Sequence, residues 1–177
     1  MIGDSTFFHS GITPLISAAY NESDGLVLIL DNRTTAMTGH QGHAGSGVRP
    51  DMSEGPAVDI QGLCEAIGVR TTTVDATDYS EIEAAIKTEV RTPGLGVLVA
   101  QAPCALLTRE KLGMVVVDEE RCNLCGLCLD IGCPAIASGE DAVIIHESCT
   151  GCGLCVEVCK RGALTFADPD RAGAGGA

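Results

Sequence analysis

Apolar and polar positions along the first hundred residues fall into blocks of two kinds. From about Ser10 to Tyr20, Ile12, Leu15, Ile16 and Ala19 recur at helical spacing, with Pro14 admissible in a first turn. After Gly25 comes LVLIL, a continuous apolar run ending at Asp31, the form expected of a strand buried on both faces. Asp59 to Ile67 predicts a helix and TTTVDA a strand. Tyr79 to Val90 predicts a second helix with Ile82, Ala85, Ile86 and Glu89 near one face, and GVLVAQA from Gly96 is another buried strand. Met1 and Ile2 look like the end of a truncated first strand that turns directly into a helix. Strands alternating with helices imply parallel pairing through right-handed crossovers, hence an α/β domain over residues 1–108 with helices on both faces of a parallel sheet.

Two stretches break this rhythm. Asn32 to Gly55 is rich in Gly, Thr, Ser, His and Pro, too polar and interrupted for a core element. Loops of that length are functional or disordered, and this one follows a buried strand, where open α/β sheets place their ligands, so a functional loop is expected. Residues 109–113 read as a linker. A small second domain then spans 114–167, with short strands in MVVVDEE, AVIIHES and GALTF, and the Gly- and Ala-rich residues 168–177 read as a disordered tail.

Composition narrows the class without choosing a function. The 177 residues are 45% hydrophobic with no Trp, suited to a globular core of aliphatic side chains. No apolar run approaches the roughly 20 residues that cross a bilayer, and no basic segment precedes an apolar signal core, so a cytoplasmic protein is expected. The formal charge of −13 opposes binding to nucleic acid or anionic membrane.

The cysteines change the picture most. Eight of the ten lie in two runs, CNLCGLCLDIGCP with Cys122, Cys125, Cys128 and Cys133, and CTGCGLCVEVC with Cys149, Cys152, Cys155 and Cys159. Two-residue gaps let consecutive thiolates converge on one inorganic core, and intervening glycines let the backbone wrap it. A secreted disulfide scaffold does not explain a cysteine-poor first hundred residues, and zinc does not explain triple C-x2-C-x2-C runs. Two iron–sulfur clusters do. A domain this small cannot rely on its apolar core alone, so metal ligation should supply much of its stability. Cys64 and Cys104 stand outside the repeat and read as buried core thiols.

Residues 114–167 resemble the bacterial two-cluster ferredoxins, in which three cysteines of one run and the fourth of the other share a cluster. Carried over, Cys122, Cys125, Cys128 and Cys159 hold one [4Fe-4S] cluster, and Cys149, Cys152, Cys155 and Cys133 the second. Two departures stand out: four residues, not three, separate Cys128 from Cys133, which should bulge the short helix there, and Lys160 replaces a frequent proline.

The N-terminal half carries GDSTFFHSG and, later, LDNRTTAMTGHQ, which resemble the thiamine diphosphate signature GDG…N with Ser5 in the third position. Asp4 and Asn32 at the ends of neighbouring strands, with the Thr34 carbonyl, would supply the protein share of an octahedral Mg²⁺ site, the diphosphate and a water supplying the rest. Gly3 and the helix start after it would bring backbone N–H groups toward the phosphates. The longer words closely resemble the indolepyruvate:ferredoxin oxidoreductase alpha subunit, in which the thiamine domain is followed by a two-cluster ferredoxin domain with the same longer gap. The resemblance implies cofactor contacts at Gly3, Asp4, Ser5, Asn32, Thr34, Thr38 and Gly39. It allows His9 and His40 a role in proton handling or substrate contact, with loop-shaping hydrogen bonds as the alternative. His43 and His146 read as surface or loop residues, and Arg33 and Arg49 as either anion partners or solvated side chains.

The implied reaction is thiamine-dependent oxidative decarboxylation of an arylpyruvate with coenzyme A, electrons leaving through the clusters to ferredoxin. The glutamate that activates the aminopyrimidine ring in that family lies in another domain, so missing N-terminal domains or a separate subunit should complete the site, beside a gamma/beta-type subunit. A rival expectation is an electron-transfer ferredoxin fused to a non-catalytic α/β domain, which Ser5 favours and the intact Asp4, Asn32 and TAMTGHQ oppose.

Overall fold

The computed structural model describes residues 1–108 and 113–168. Apart from Gly113 and Asp168, the expected linker and tail lie outside the described residues. The chain divides into two compact units, Met1–Thr108 and Arg109–Ala177.

The first unit is built on a four-stranded, wholly parallel sheet. Its strands are β1 (Ile2–Gly3), β2 (Gly25–Asp31), β3 (Arg70–Asp75) and β4 (Leu95–Gln101), in the order β1-β2-β4-β3. Alternation along β4 divides the core between the two faces, as the pleat requires. Val97 and Val99 pack with Ile29, Leu15, Phe7, Ile60 and Cys64, whereas Leu98 and Ala100 pack with Val74 and, from the other side, Ile82, Ala85 and Ile86. The helices α2 (Ile12–Tyr20) and α3 (Ile60–Ile67) therefore cover one face and α4 (Tyr79–Arg91) the other.

Caps fix the two later helices. Asp59 accepts from the N–H groups of Gln61 and Gly62 at the start of α3, and Asp78 from that of Glu81 at the start of α4. Glu89 of α4, on the face expected to be buried, is buried, and it is held by Arg70 Nε at 3.0 Å and Thr72 Oγ1 at 3.0 Å.

Helical structure begins at Asp4, directly after the short first strand as the sequence implied: α1 (Asp4–Thr6) runs into a π-helical turn, Phe7–Gly11, before α2. The wide turn brings Phe7 into the core and ends just before Pro14, which has no N–H to give a regular ladder. Gly11 is required there, since a Cβ would stand 2.8 Å from the Phe7 ring. Ile16, placed in the apolar stripe by its spacing, is 50% exposed. Leu30 of β2 is also exposed, although its backbone lies between Gly3 of β1 and Ala100 of β4. Of the two apolar strands, only β4 is buried along its length. A four-residue helix, α5 (Ala105–Thr108), follows it.

The second unit has two antiparallel pairs. β5 (Val115–Val117) pairs with β8 (Leu164–Phe166), and β6 (Ile136–Ser138) with β7 (Val143–Ile145). β6 has no apolar signature of its own and gains its pairing from β7. The single described helix of this unit, α6 (Leu154–Val158), lies in the second cysteine run. The corresponding segment of the first run, expected as a bulged helix, is a series of turns: the N–H groups of Leu129 and Asp130 donate to the Gly126 carbonyl, and that of Gly132 to Leu129. Gly132, at φ 72°, takes up the extra residue.

Candidate functional site

The C-terminal ends of β1 and β2 bring Asp4 and Asp31 together, both at least 95% buried. Asp4 accepts from the Ser5 N–H at 2.7 Å through Oδ1 and lies against His43 Nε2 at 3.1 Å through Oδ2. Asp31 is held by the Gln101 amide at 2.7 Å and by Arg33, from Nε at 3.2 Å and from N–H at 3.1 Å. Burial pushes the Asp4 carboxyl above its ordinary range and its hydrogen bond with the Asp31 carboxyl adds to this; the Ser5 N–H and His43 act the other way. Two buried carboxyls in contact, with the partly exposed Arg33 on one and His43 on the other, form an acidic pocket whose shared proton a divalent cation could replace.

The candidate Mg²⁺ ligands occupy this same edge. Asn32 follows β2, its Oδ1 accepting from the Thr34 N–H at 3.1 Å, and Thr34 is buried. Gly3 also fits a ligand site. Its backbone is ordinary extended chain (φ −80°, ψ 155°), and a Cβ there would meet no protein atom within 4 Å. Neither conformation nor packing calls for glycine, whereas close approach of a phosphate to the backbone does. Ser5, in the third signature position, accepts a hydrogen bond from Thr35 Oγ1 at 2.8 Å. These features fit thiamine diphosphate with Mg²⁺: Asp4, Asn32 and Thr34 would hold the metal.

The loop after β2 is folded back by a bridge between Thr35 and Gln41 and another between Val48 and Glu54. Thr38 is exposed and bonded to Gln41 through its hydroxyl at 2.6 Å; Gly39 turns the chain at φ 115°. His9 is exposed on the π-helical turn. His40 lies 3.8 Å from Cys104 Sγ, so Cys104, expected as a core thiol, is a half-buried residue at the sheet edge; Cys64 alone of the two is fully buried. His43, expected at the surface, has a side chain only 7% exposed, because its turn folds inward onto Asp4. Asp31 and His43 were not singled out by sequence reasoning. Their only signals were a charged residue closing an apolar strand and a histidine three positions after His40, and neither identifies a contact made across 39 residues. Arg33 pairs with Asp31 and with the Gly45 carbonyl, whereas Arg49 makes an exposed 3.4 Å contact with Ser53. His146 is exposed.

In the second unit the eight cysteines line two cavities, four to each. Cys122, Cys125, Cys128 and Cys159 line one; Cys133, Cys149, Cys152 and Cys155 line the other. The fourth cysteine of each run thus serves the cavity of the other. Burial raises the Cys128 thiol, and its neighbours Cys159, Cys122 and Cys125 raise it further. Cys155 is pushed up to about 11 by burial and then by Cys152, Cys149 and Cys133. These are groups that a metal core would hold as thiolates. At Cys159 burial raises the thiol, but N–H groups from residues 161–164 outweigh it, among them Ala163 at 3.3 Å from Sγ, and the net shift is downward. The backbone repeats between runs as well: Gly126 and Gly153 have φ 83° and 85°, and Leu124 at φ 53° occupies the place of Gly151 at φ 73°. Among the described residues no group of three or more His, Cys, Asp or Glu is gathered to hold a single metal ion. Thiolates around a cuboidal cluster stand farther apart than around one ion, so the lack of such a group says nothing for or against a cluster.

Residues 1–100 match the family described as thiamine pyrophosphate enzyme, C-terminal TPP binding domain, and residues 142–165 match the 4Fe-4S binding domain. The chain belongs to the thiamine pyrophosphate enzyme family through that C-terminal domain, and carries an iron–sulfur domain after it. Relatives named indolepyruvate oxidoreductase subunit IorA are 41% identical in Methanothermobacter marburgensis and 39% identical in Archaeoglobus fulgidus, each over 92% of this chain and 27% of the relative. The relative from Pyrococcus horikoshii, of the same name, is 39% identical over 76% of this chain and 22% of its own length. The chain therefore spans about a quarter of the length of these relatives. A solved thiamin diphosphate-dependent enzyme from Mycobacterium smegmatis overlaps 58% of this chain and 17% of its own at 25% identity, with a TM-score of 0.42, too loose a likeness to carry detail across.

Proposed function

We propose that the chain is the diphosphate-binding and electron-exit portion of a thiamine-dependent 2-oxoacid:ferredoxin oxidoreductase acting on indolepyruvate or a related arylpyruvate. The observation that carries this reading is a buried carboxylate pair at the C-terminal edge of a parallel sheet, on the same chain as two four-thiol cavities. When bound, thiamine diphosphate supplies the electron sink for decarboxylation, and two [4Fe-4S] clusters accept the released pair one electron at a time. Asp4, Asn32 and Thr34 hold Mg²⁺, Gly3 admits the diphosphate to the backbone, and Asp31 keeps Arg33 folded against the loop. The two thiol quartets hold the clusters, Cys122, Cys125, Cys128 and Cys159 forming one and Cys133, Cys149, Cys152 and Cys155 the other.

The remaining parts of the reading rest on the resemblance of the two sequence words to the indolepyruvate:ferredoxin oxidoreductase alpha subunit. A further segment or subunit supplies the group that activates the aminopyrimidine ring, a gamma/beta-type subunit completes the assembly, coenzyme A accepts the acyl group, and ferredoxin takes the electrons. No described helix is long and apolar enough to cross a membrane, and so many unpaired thiols suit a reducing cytoplasm.

The test uses the native complex, purified without oxygen. Wild-type protein is expected to bind thiamine diphosphate in a Mg²⁺-dependent manner and to lose its visible cluster absorbance on addition of indolepyruvate and coenzyme A; Asp4→Ala should do neither. Bleaching that persists unchanged in Asp4→Ala, or its absence in the wild type, would overturn the proposal.

A further inference from the structure

His43 is held on every side by this chain. The Gly45 N–H donates to Nδ1 at 3.1 Å, which leaves Nε2 to carry the proton of a neutral imidazole, and Nε2 points at Asp4 Oδ2. The Phe8 ring covers the imidazole, with centroids 5.7 Å apart and planes at 33°. Gly45 makes that contact possible: a Cβ there would stand 2.4 Å from the Phe8 ring and 3.3 Å from the imidazole. The turn carrying the ring is closed by Ser46, whose Oγ accepts from the His43 N–H at 2.9 Å and donates to the His43 carbonyl at 2.8 Å. Arg33 spans from the Asp31 carboxylate to the Gly45 carbonyl and ties the same turn to the second buried acid.

We propose that His43 is a positioning residue for the metal ligand Asp4: its Nε2–H fixes the carboxylate rotamer so that the remaining lone pairs face the Mg²⁺ that anchors thiamine diphosphate. This rests on the Mg²⁺ reading given above. With Ser5 N–H on Oδ1 and His43 on Oδ2, the carboxylate cannot rotate about its side-chain bonds without losing a bond, and a preset carboxylate binds the ion without a further loss of freedom. Because His43 belongs to the loop and Asp4 to the strand end, the same bond makes loop order and metal binding depend on each other.

Two amide substitutions separate positioning from packing. His43→Gln places an N–H donor near the Nε2 position, whereas His43→Asn fills much of the ring's space with an amide that stops near Nδ1. Thiamine diphosphate retention would be measured by equilibrium dialysis of the full chain in its native complex at graded Mg²⁺. In His43→Asn the Mg²⁺ concentration for half-retention should rise about tenfold or more, and in His43→Gln by less than about threefold, the range of hydrogen-bonded ligand supports in metal sites. Circular dichroism and thermal melting of both variants check that they fold alike. Equal Mg²⁺ requirements in the two variants, or His43→Asn matching wild type, overturn the positioning role. Absence of Mg²⁺-dependent retention in wild type itself overturns the underlying reading along with it.

Discussion

The two units fill their interiors with different material. Around β4 the buried side chains are Val97, Leu98 and Val99, joined by Phe7, Leu15 and Ile29, and each face of the sheet has its own apolar layer. In the second unit the buried cluster is Val115, Val143, Leu164, Cys128 and Cys155, with Cys122, Cys149 and Cys159 packed against it. Remove the thiols and Val115, Val143 and Leu164 are the only fully buried members of that cluster left, ringed by half-buried side chains such as Ile136, Ile145 and Phe166. The same element of composition, cysteine, therefore plays opposite parts: Cys64 fills space as a buried thiol in the first unit, while in the second the cysteines line two cavities where the proposed reading makes them ligands.

Stripping the clusters with a chelator under reducing, anaerobic conditions should have the largest effect. The second unit is expected to unfold completely while the first keeps its cooperative melt, because ligation stands in for the missing core. Limited proteolysis that trims the chain back toward Thr108 would report this; a second unit that stays protected without iron would break the contrast. Iron and sulfide near eight of each per chain is the matching measurement on the loaded protein, as two cubane clusters require.

Leu98→Ala should act the other way round. Leu98 is fully buried on the α4 face, so a cavity there costs about 3 kcal/mol, lowering the melting temperature of the first unit while leaving cluster absorbance unchanged. Coupled loss of absorbance would show that the cores are not independent.

Alkaline pH sharpens the comparison further. Burial pushes the Cys64 thiol up to about 11 from 9.0. A group whose folded value is raised gives stability that is complete below 9.0 and is lost as pH rises through about 11. The first unit should weaken across that window, and Cys64→Val should flatten the change. Cluster retention should run in the opposite sense, falling as acid protonates the ligands. Denaturant midpoints and visible absorbance across pH would separate the two trends.

The smallest effect is expected at Leu124. Its φ of 53° is the left-handed conformation that Gly151 adopts without strain in the sister run. Leu124→Gly should relieve about 1 kcal/mol, partly offset by the loss of a side chain that is 38% exposed. A small gain in stability of the loaded second unit against denaturant is the outcome to look for.

Periodicity and spacing were enough for elements whose signal is local. The alternation of β4, the Asp78-capped helix α4 and the two cysteine runs each carry their reason within a few residues. What escaped was made by tertiary contact. Leu30 and Ile16 look like core residues by their spacing, yet both are exposed in the folded chain. β6 exists because β7 pairs with it. His43 acts on Asp4 through a loop whose polar sequence gives no register, Asp31 meets Asp4 from the end of the neighbouring strand, and Cys104 meets His40 across 64 residues. The partition of cysteines between cavities was open to resemblance, not to spacing alone.

The exchange of fourth cysteines has a consequence for how the chain is made. One cavity needs Cys159 and the other needs Cys149, Cys152 and Cys155, so neither wall is closed while only the first run has left the ribosome. A partly synthesised chain offers at most four thiols of the first run, three belonging to one site and one to the other. On the proposed cluster assignment, iron and sulfide would arrive after the second run has emerged, and a stop codon between Cys133 and Cys149 would forfeit both sites rather than one.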